Sequence, residues 1–244
     1  MNTNITRRGE KFSAPTLAAI ITIAITFTLS SCARNSGAAA TASCFPIQEH
    51  AGGSENVEYG SLLDNRDNKT YKTVKIGEQT WMAENLNYAA SDSKCWTVLT
   101  GKGKISDANT EYCDTYGRLY HRNTAKTACP SGWHLPSDAE WTALTNHIGI
   151  LAGIKLRTKN GWNNTNKGCS GNGTDIYGFS ALPGGNIQSN NLMNFGNVGL
   201  WWSSTVYEIN KDFSYNRFIS NAIGDVRRDF GTDIYLYSVR CVKD

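Results

Sequence analysis

Cys129-Pro-Ser-Gly-Trp-His-Leu-Pro-Ser-Asp-Ala-Glu-Trp-Thr-Ala-Leu-Thr-Asn-His-Ile-Gly149 contains the best-defined helix of the chain. Ser137 and Glu140 form a capping box: the serine hydroxyl accepts from the N3 amide and the glutamate reaches back to the cap amide. Leu135 and Trp141 suit a hydrophobic staple across the helix start. The helix is expected to run to about His147 and stop at Gly149. Trp141, Leu144 and Ile148 share one face at the i, i+3, i+7 spacing and point to a core.

Upstream of this helix, residues 71–76 and 79–82 alternate in character around Gly77-Glu78, the signature of a β-hairpin. Before the hairpin, Asp64-Asn-Arg-Asp-Asn-Lys69 is a turn cluster; it lacks the further acidic ligands and glycine of a calcium loop and is expected to be solvated. The segment between Cys95 and Cys113 is expected to be an irregular insertion. Residues 116–120 are strand-like and 123–128 resemble a short helix.

Downstream, a second middle helix is expected over 152–158, and the Asn/Gly-rich stretch 161–173 is a long loop. The last third divides into short strands at 178–182, 201–205, 215–220, 225–230 and 238–242. An early hairpin, two middle helices and a late antiparallel set make an α+β domain. Seven Trp, eleven Tyr and twenty-three Gly against three Met fit a fold of short strands and many turns.

The amino end carries an address. Arg7, Arg8 and Lys11 precede a 13-residue apolar run, 17–29, which falls short of the ~20 residues that a bilayer span requires. Leu29-Ser30-Ser31-Cys32 has the small-residue pattern of a bacterial lipobox, so residues 1–31 are expected to be a lipoprotein signal peptide and Cys32 the lipid attachment point. Three acyl chains on Cys32 would anchor stably where one is marginal. Glu10 stands where twin-arginine export wants an apolar residue, which favours ordinary export.

Residues 32–57 are small and polar, a flexible tether for a domain over 58–244. The expected location is the cell envelope, at the outer membrane or cell surface, with the membrane as partner through Cys32. Removing the signal takes three basic residues and one acidic residue, which leaves about +1 of the formal +3. No basic run remains to track a phosphate backbone, so nucleic acid is not an expected partner.

With Cys32 committed to lipid, six cysteines remain, an even number in an oxidising compartment. Fifteen connectivities are possible. Cys95 with Cys113 closes the insertion, Cys129 with Cys241 ties the middle of the domain to its last strand, and Cys44 with Cys169 are left. No CxxC or HxxxH spacing supports a metal site, and no cofactor is implied.

The motifs together resemble a known family. Asp67 to Gly77, Gln79-Thr-Trp-Met-Ala-Glu-Asn-Leu-Asn87, Tyr116-Gly-Arg-Leu-Tyr120, Cys129 to Trp141, Gly178-Phe-Ser-Ala-Leu-Pro-Gly-Gly185, Trp201-Trp-Ser-Ser204 and Ser238-Val-Arg-Cys-Val-Lys-Asp244 are similar to the Fibrobacter succinogenes major paralogous domain, in the family's motif order. The resemblance implies an exported protein or lipoprotein, and no particular reaction. Leu135 to Trp141 and Val239 to Val242 are also distantly similar to formylglycine-generating-enzyme-like domains. That likeness implies a C-type-lectin-like fold whose terminal strand is pinned to the core, which suits a Cys129 to Cys241 bridge.

Three functional readings follow. The first is a non-catalytic surface binding module for polysaccharide or another envelope component. Its rings would be Trp162 with Asn163 in the Asn/Gly loop, Tyr207 in the late turns, and one of the adjacent pair Trp201 and Trp202, since neighbours on a strand face opposite ways. The second is an oxidase like the formylglycine-generating enzymes; those need a reactive cysteine pair, and none stands free once three bridges are drawn. The third is a purely structural envelope role.

The Glu-Pro-Asn or Gln-Pro-Asp and Trp-Asn-Asp signals associated with calcium-dependent lectins are absent. His134 and His147 have structural explanations at the helix, and no acid and base are nominated for hydrolysis. The chain is therefore not expected to be an enzyme.

Overall fold

Gly77, in the left-handed region at φ +60°, turns the chain between the paired strands Lys69–Ile76 and Gln79–Met82 of a mostly β molecule. The computed structural model describes residues 57–99 and 102–244. The signal peptide, Cys32, Cys44 and the tether up to residue 56 lie outside the described residues. One sheet contains β1 (Tyr59–Asp64), β2 (Lys69–Ile76), β3 (Gln79–Met82), β14 (Val242–Lys243) and β7 (Trp133–His134), in that order and antiparallel throughout. The carboxyl-terminal strand is interior to this sheet, flanked by β3 of the early hairpin and by the edge strand β7.

The second sheet runs β12 (Arg227–Gly231), β11 (Ser214–Ser220), β10 (Val198–Val206), β13 (Tyr235–Ser238), β8 (Asn186–Gln188), β9 (Asn191–Met193), with β6 (Leu119–His121) also on β13. Strands β4 (Cys95–Leu99) and β5 (Lys102–Ser106) form a separate hairpin. Four helices complete the α+β domain: α1 (Glu111–Tyr116), α2 (Arg122–Ala125), α3 (Asp138–Ile148) and α4 (Ala152–Leu156). The insertion expected to be irregular between Cys95 and Cys113 is therefore a regular hairpin plus the start of α1. Residues 178–182, expected as a strand, form only a single bridge at Ala181, and the β8–β9 hairpin was not anticipated.

The capping box is present: Glu140 N donates to Ser137 Oγ at 3.2 Å and Ser137 N to Glu140 Oε2 at 2.7 Å. The staple is not. Leu135 and Trp141 belong to different core clusters, so they diverge across the helix start. What docks this end of α3 is β10, whose irregular stretch gives a hydrogen bond from Ser204 N to Pro136 O at 2.9 Å and takes one at Thr205 Oγ1 from Asp138 N at 3.0 Å.

Successive residues feed two cores. Trp81 and Trp201 join Trp141 and Phe179 in one, and Met82 and Trp202 join Tyr120 and Tyr237 in the other. In the first, Trp81 and Trp141 have ring centroids 4.8 Å apart, and Trp141 and Trp201 6.2 Å. The expected solvated turn at Asp64 is also corrected. Its carboxylate is fully buried and forked by Arg66, Nε to Oδ1 at 2.8 Å and Nη2 to Oδ2 at 2.7 Å. Burial alone would raise the Asp64 pKa, but the Arg66 hydrogen bonds outweigh it and hold the carboxyl below its ordinary value.

Two described disulfides tie the domain: Cys95–Cys113, with Cα atoms 5.5 Å apart, and Cys129–Cys241, at 5.9 Å. Cys169 is disulfide-bonded as well. The Cys129–Cys241 bridge spans 112 positions and Cys95–Cys113 spans 18. In the chain-entropy picture the long loop is worth about 4–5 kcal/mol and the short one about 3. Urea unfolding should accordingly show the Cys129→Ser/Cys241→Ser protein about 4–5 kcal/mol less stable than the parent, with a smaller loss for Cys95→Ser/Cys113→Ser.

The last strand carries a second clamp. His134 places Nδ1 2.5 Å from Asp244 Oδ1 and Nε2 2.7 Å from Glu140 Oε1, so both ring nitrogens face carboxylates. Partial burial pulls the His134 pKa down, but the Asp244 and Glu140 hydrogen bonds outweigh it and the net shift is upward. A base raised on folding contributes stability in full below its unfolded pKa of about 6.5 and loses it as pH rises through the folded value. Thermal melts from pH 6 to pH 9 should show the parent losing stability relative to His134→Gln, and identical pH profiles for the two proteins would refute the clamp.

Candidate functional site

Burial removes three of the rings expected to bind a ligand. Trp201 and Trp202 are both 0% exposed, because β10 is covered on both faces. Trp201 Nε1 donates to Asn85 Oδ1 at 2.8 Å, and Trp202 Nε1 to Tyr120 O at 2.7 Å. Trp162 is buried as well, although it lies in a loop, with Nε1 donating to Thr158 Oγ1 at 3.1 Å. Burying 150–250 Å² of such a ring is worth roughly 4–6 kcal/mol, more than the ~1 kcal/mol of one stacking contact, so these rings stay in the core.

Asn163 is exposed, but its backbone and side chain are used to fasten the Asn/Gly loop. Its N donates to Gly196 O at 2.8 Å and its Nδ2 to Asn197 Oδ1 at 3.3 Å. Tyr207 is half-buried, stacked on Phe230 at 4.6 Å beside the edge strand β12. The structure therefore does not bring the five expected ligand residues into one place.

A cleft that does gather rings lies elsewhere, between the expected insertion at 95–113, the Tyr116 end of α1 and the turn at Phe195. Trp96 on β4, Tyr112 and Tyr116 on α1, and Phe195 after β9 line a cavity of about 460 Å³ together with Thr97, Thr110, Glu111 and Thr115. Phe195 is 45% exposed, Trp96 and Tyr116 are half-buried, and Tyr112 forms the floor. Ring centroids are 5.1 Å apart for Tyr112 and Tyr116 and 5.1 Å for Tyr116 and Phe195, the second pair edge to face.

Local chemistry sets each ring. Tyr112 and Tyr116 are i, i+4 neighbours on α1, and the Cys95–Cys113 bridge joins α1 to the strand that carries Trp96. Buried Arg118 holds the same corner, donating to Ser93 Oγ at 2.8 Å and Asp107 O at 2.6 Å. Tyr112 Oη donates to Gly184 O at 2.5 Å. Gly185 sits at φ +69°, and a Cβ there would lie 2.2 Å from Met193 O and 2.9 Å from Phe195 N. A glycine at that position is what lets the Phe195 turn close against α1. Burial raises the pKa of both cleft tyrosines, so they are neutral phenols that hydrogen-bond and do not act as bases near neutral pH.

On the other side of α1 is a polar cleft of about 400 Å³, lined among others by Lys69, Glu84, Asn87, Asp114 and Thr115. Among the described residues no group of three or more His, Cys, Asp or Glu is placed to hold a metal. No described helix is long and apolar enough to cross a membrane. The i, i+4 tyrosine pair beside a cysteine was a legible sign of the aromatic cleft. Trp96 and Phe195 gave none, since only the tertiary fold places them beside the tyrosines.

Comparison with known proteins adds one result. No curated protein and no solved structure matches the chain. A family model described as the Fibrobacter succinogenes major domain matches residues 74–243, beginning within β2 and ending in β14. That match covers more than half of the sequence and takes in the aromatic cleft, both described disulfides and all four helices, so the chain belongs to the Fibrobacter succinogenes major domain family, whose function is unknown.

Proposed function

We propose that this protein is a non-catalytic binding module, held to the cell envelope by lipid on Cys32, that captures polysaccharide in the aromatic cleft between the β4–β5 hairpin, α1 and the Phe195 turn. The observation that carries the reading is the set of partly exposed rings of Trp96, Tyr116 and Phe195 around one cavity rimmed by threonine hydroxyls. Ring faces stack on the apolar faces of sugars, and hydroxyl groups exchange hydrogen bonds with theirs. The cysteines of the described domain are all in disulfides, which argues against the oxidase alternative because that chemistry needs free thiols. A C-type-lectin-like scaffold is part of the proposal. It is supported by a terminal strand that lies inside the sheet, between β3 and β7, next to Cys241, which is bridged to Cys129.

Glycan-array binding tests the reading. The parent should bind a subset of polysaccharides. Phe195→Ala and Trp96→Ala should each weaken that binding about tenfold, the equivalent of ~1.4 kcal/mol. Trp202→Phe, a core change, should lower stability and leave affinity unaltered. A folded protein that retains no glycan overturns the binding assignment.

The anchor has its own test. Cys32→Ala should abolish incorporation of labelled palmitate and release the protein from the membrane fraction. Continued labelling of the variant would overturn attachment at Cys32.

A further inference from the structure

We infer that the binding groove continues over α1: the polar cleft is a second sugar subsite, and the two clefts together accept an extended, uncharged polysaccharide. This inference rests on the aromatic cleft being a glycan site. Thr115 lines both cavities and is exposed, so α1 is a shared wall with an open crest. With six residues, α1 is about 9 Å long and, with its side chains, about 10 Å across. A chain must therefore be several sugar rings long to reach from one cleft to the other.

The chemistry of the second cleft complements the first. Asn87 is 8% exposed, and its Oδ1 is buried without a hydrogen-bond partner. An unmade hydrogen bond of this kind costs about 1–3 kcal/mol. Asn87 lines the cleft, and because the terminal torsion of asparagine is soft, a half-turn about it would exchange the amide nitrogen and oxygen at the cavity, where a sugar hydroxyl can donate to the oxygen. The backbone of Asn87 is fixed independently: its N donates to Tyr71 Oη at 3.0 Å and its O accepts from Lys69 Nζ at 3.1 Å.

Charge selects the kind of chain. Glu111 in the aromatic cleft and Glu84 and Asp114 in the polar one outnumber Lys69 and Lys72. A polyanion such as a polyuronate meets net repulsion along the groove, most strongly at low salt. A neutral chain does not.

The test is calorimetric titration of the full mature chain, in detergent, with neutral and uronic-acid oligosaccharides from di- to octasaccharide. Affinity for neutral chains should climb tenfold or more with length and then level off, and the uronate octasaccharide should bind at least tenfold more weakly than its neutral counterpart. Asn87→Ala should erase the gain from length while leaving disaccharide affinity unchanged, whereas Phe195→Ala should weaken every length. Thr115→Trp, at an exposed position on the crest, should also cap the gain from length and provides a second variant if Asn87→Ala fails to fold. Length-independent affinity, an equal loss at all lengths in Asn87→Ala, or preference for the uronate would overturn the second subsite while leaving a Phe195-dependent short-sugar site standing. Failure of the parent to bind any sugar would remove both.

Discussion

Of the several buried arginines, Arg240 organises this domain. Arg240 is fully buried with no carboxylate in hydrogen-bonding contact. Its Nη2 and Nε donate to Asn85 Oδ1 at 2.7 and 3.1 Å, Nη1 donates to Phe179 O and Nη2 to Ser180 O at 3.3 Å. The guanidinium lies over the Phe179 ring at 4.2 Å and the Trp201 ring at 5.6 Å. Burial lowers the Arg240 pKa to about 9, so the group stays charged at neutral pH and needs every one of these partners. An ion taken out of water costs several kcal/mol unless such contacts replace its hydration, so Asn85, Phe179, Ser180 and Trp201 are held where they are. With Arg240 itself they come from four separate segments, 79–87, 178–185, 201–204 and 238–244, and those segments carry most of the recognisable motifs in the sequence.

The same hub reaches the candidate site. Asn85, fixed by Arg240 through its oxygen, donates from Nδ2 to Tyr116 O at 2.8 Å. Gly117 follows, at φ +76°, where a Cβ would lie 2.6 Å from the Asn85 Cβ and 2.8 Å from Leu86 O. The end of α1, and with it the Tyr116 ring, is thus seated on the core through one amide and one glycine. Added to the Cys95–Cys113 bridge and the Arg118 contacts, this makes the aromatic cleft a preformed feature of the scaffold. Preformation lowers the ordering cost of capturing a ligand.

Sequence reading recovered what short-range chemistry dictates. The Gly77 turn, the Ser137–Glu140 box, the Trp141–Leu144–Ile148 stripe and the Cys129 and Cys241 positions each depend on neighbours a few residues away or on cysteine pairing. It missed what depends on coverage. The alternation of Trp201 and Trp202 places one ring outward only if one face of the strand meets water, and here a core lies on each side. Asp64 reads as a turn residue until Arg66 folds back over it and also donates to Ala128 O at 2.8 Å, sixty-two positions away. Trp162 sits among Asn and Gly, where a loop is a sound expectation, yet the loop is folded back and pinned by Asn221 Nδ2 to Asn163 O at 3.1 Å. The aromatic cleft was the least legible feature, because its four rings come from three elements separated by up to a hundred residues of chain.

The division between hub and cleft bears on how such a domain acquires a ligand. Replacing Asn85, Trp201 or Arg240 strands a buried donor or charge, a loss of several kcal/mol from a fold whose total stability is about 5–15 kcal/mol. Replacing Trp96 or Phe195 removes a ring that already meets solvent, and the hydrogen bonds around it run through the backbone of Gly184, Gly185 and Gly196 and survive the change. Recognition is thus placed on side chains the scaffold can spare. A domain built this way can change what it binds without repacking its core, because the residues that hold it together and the residues that face a ligand are different ones, joined through backbone at Tyr116, Gly117 and Gly184.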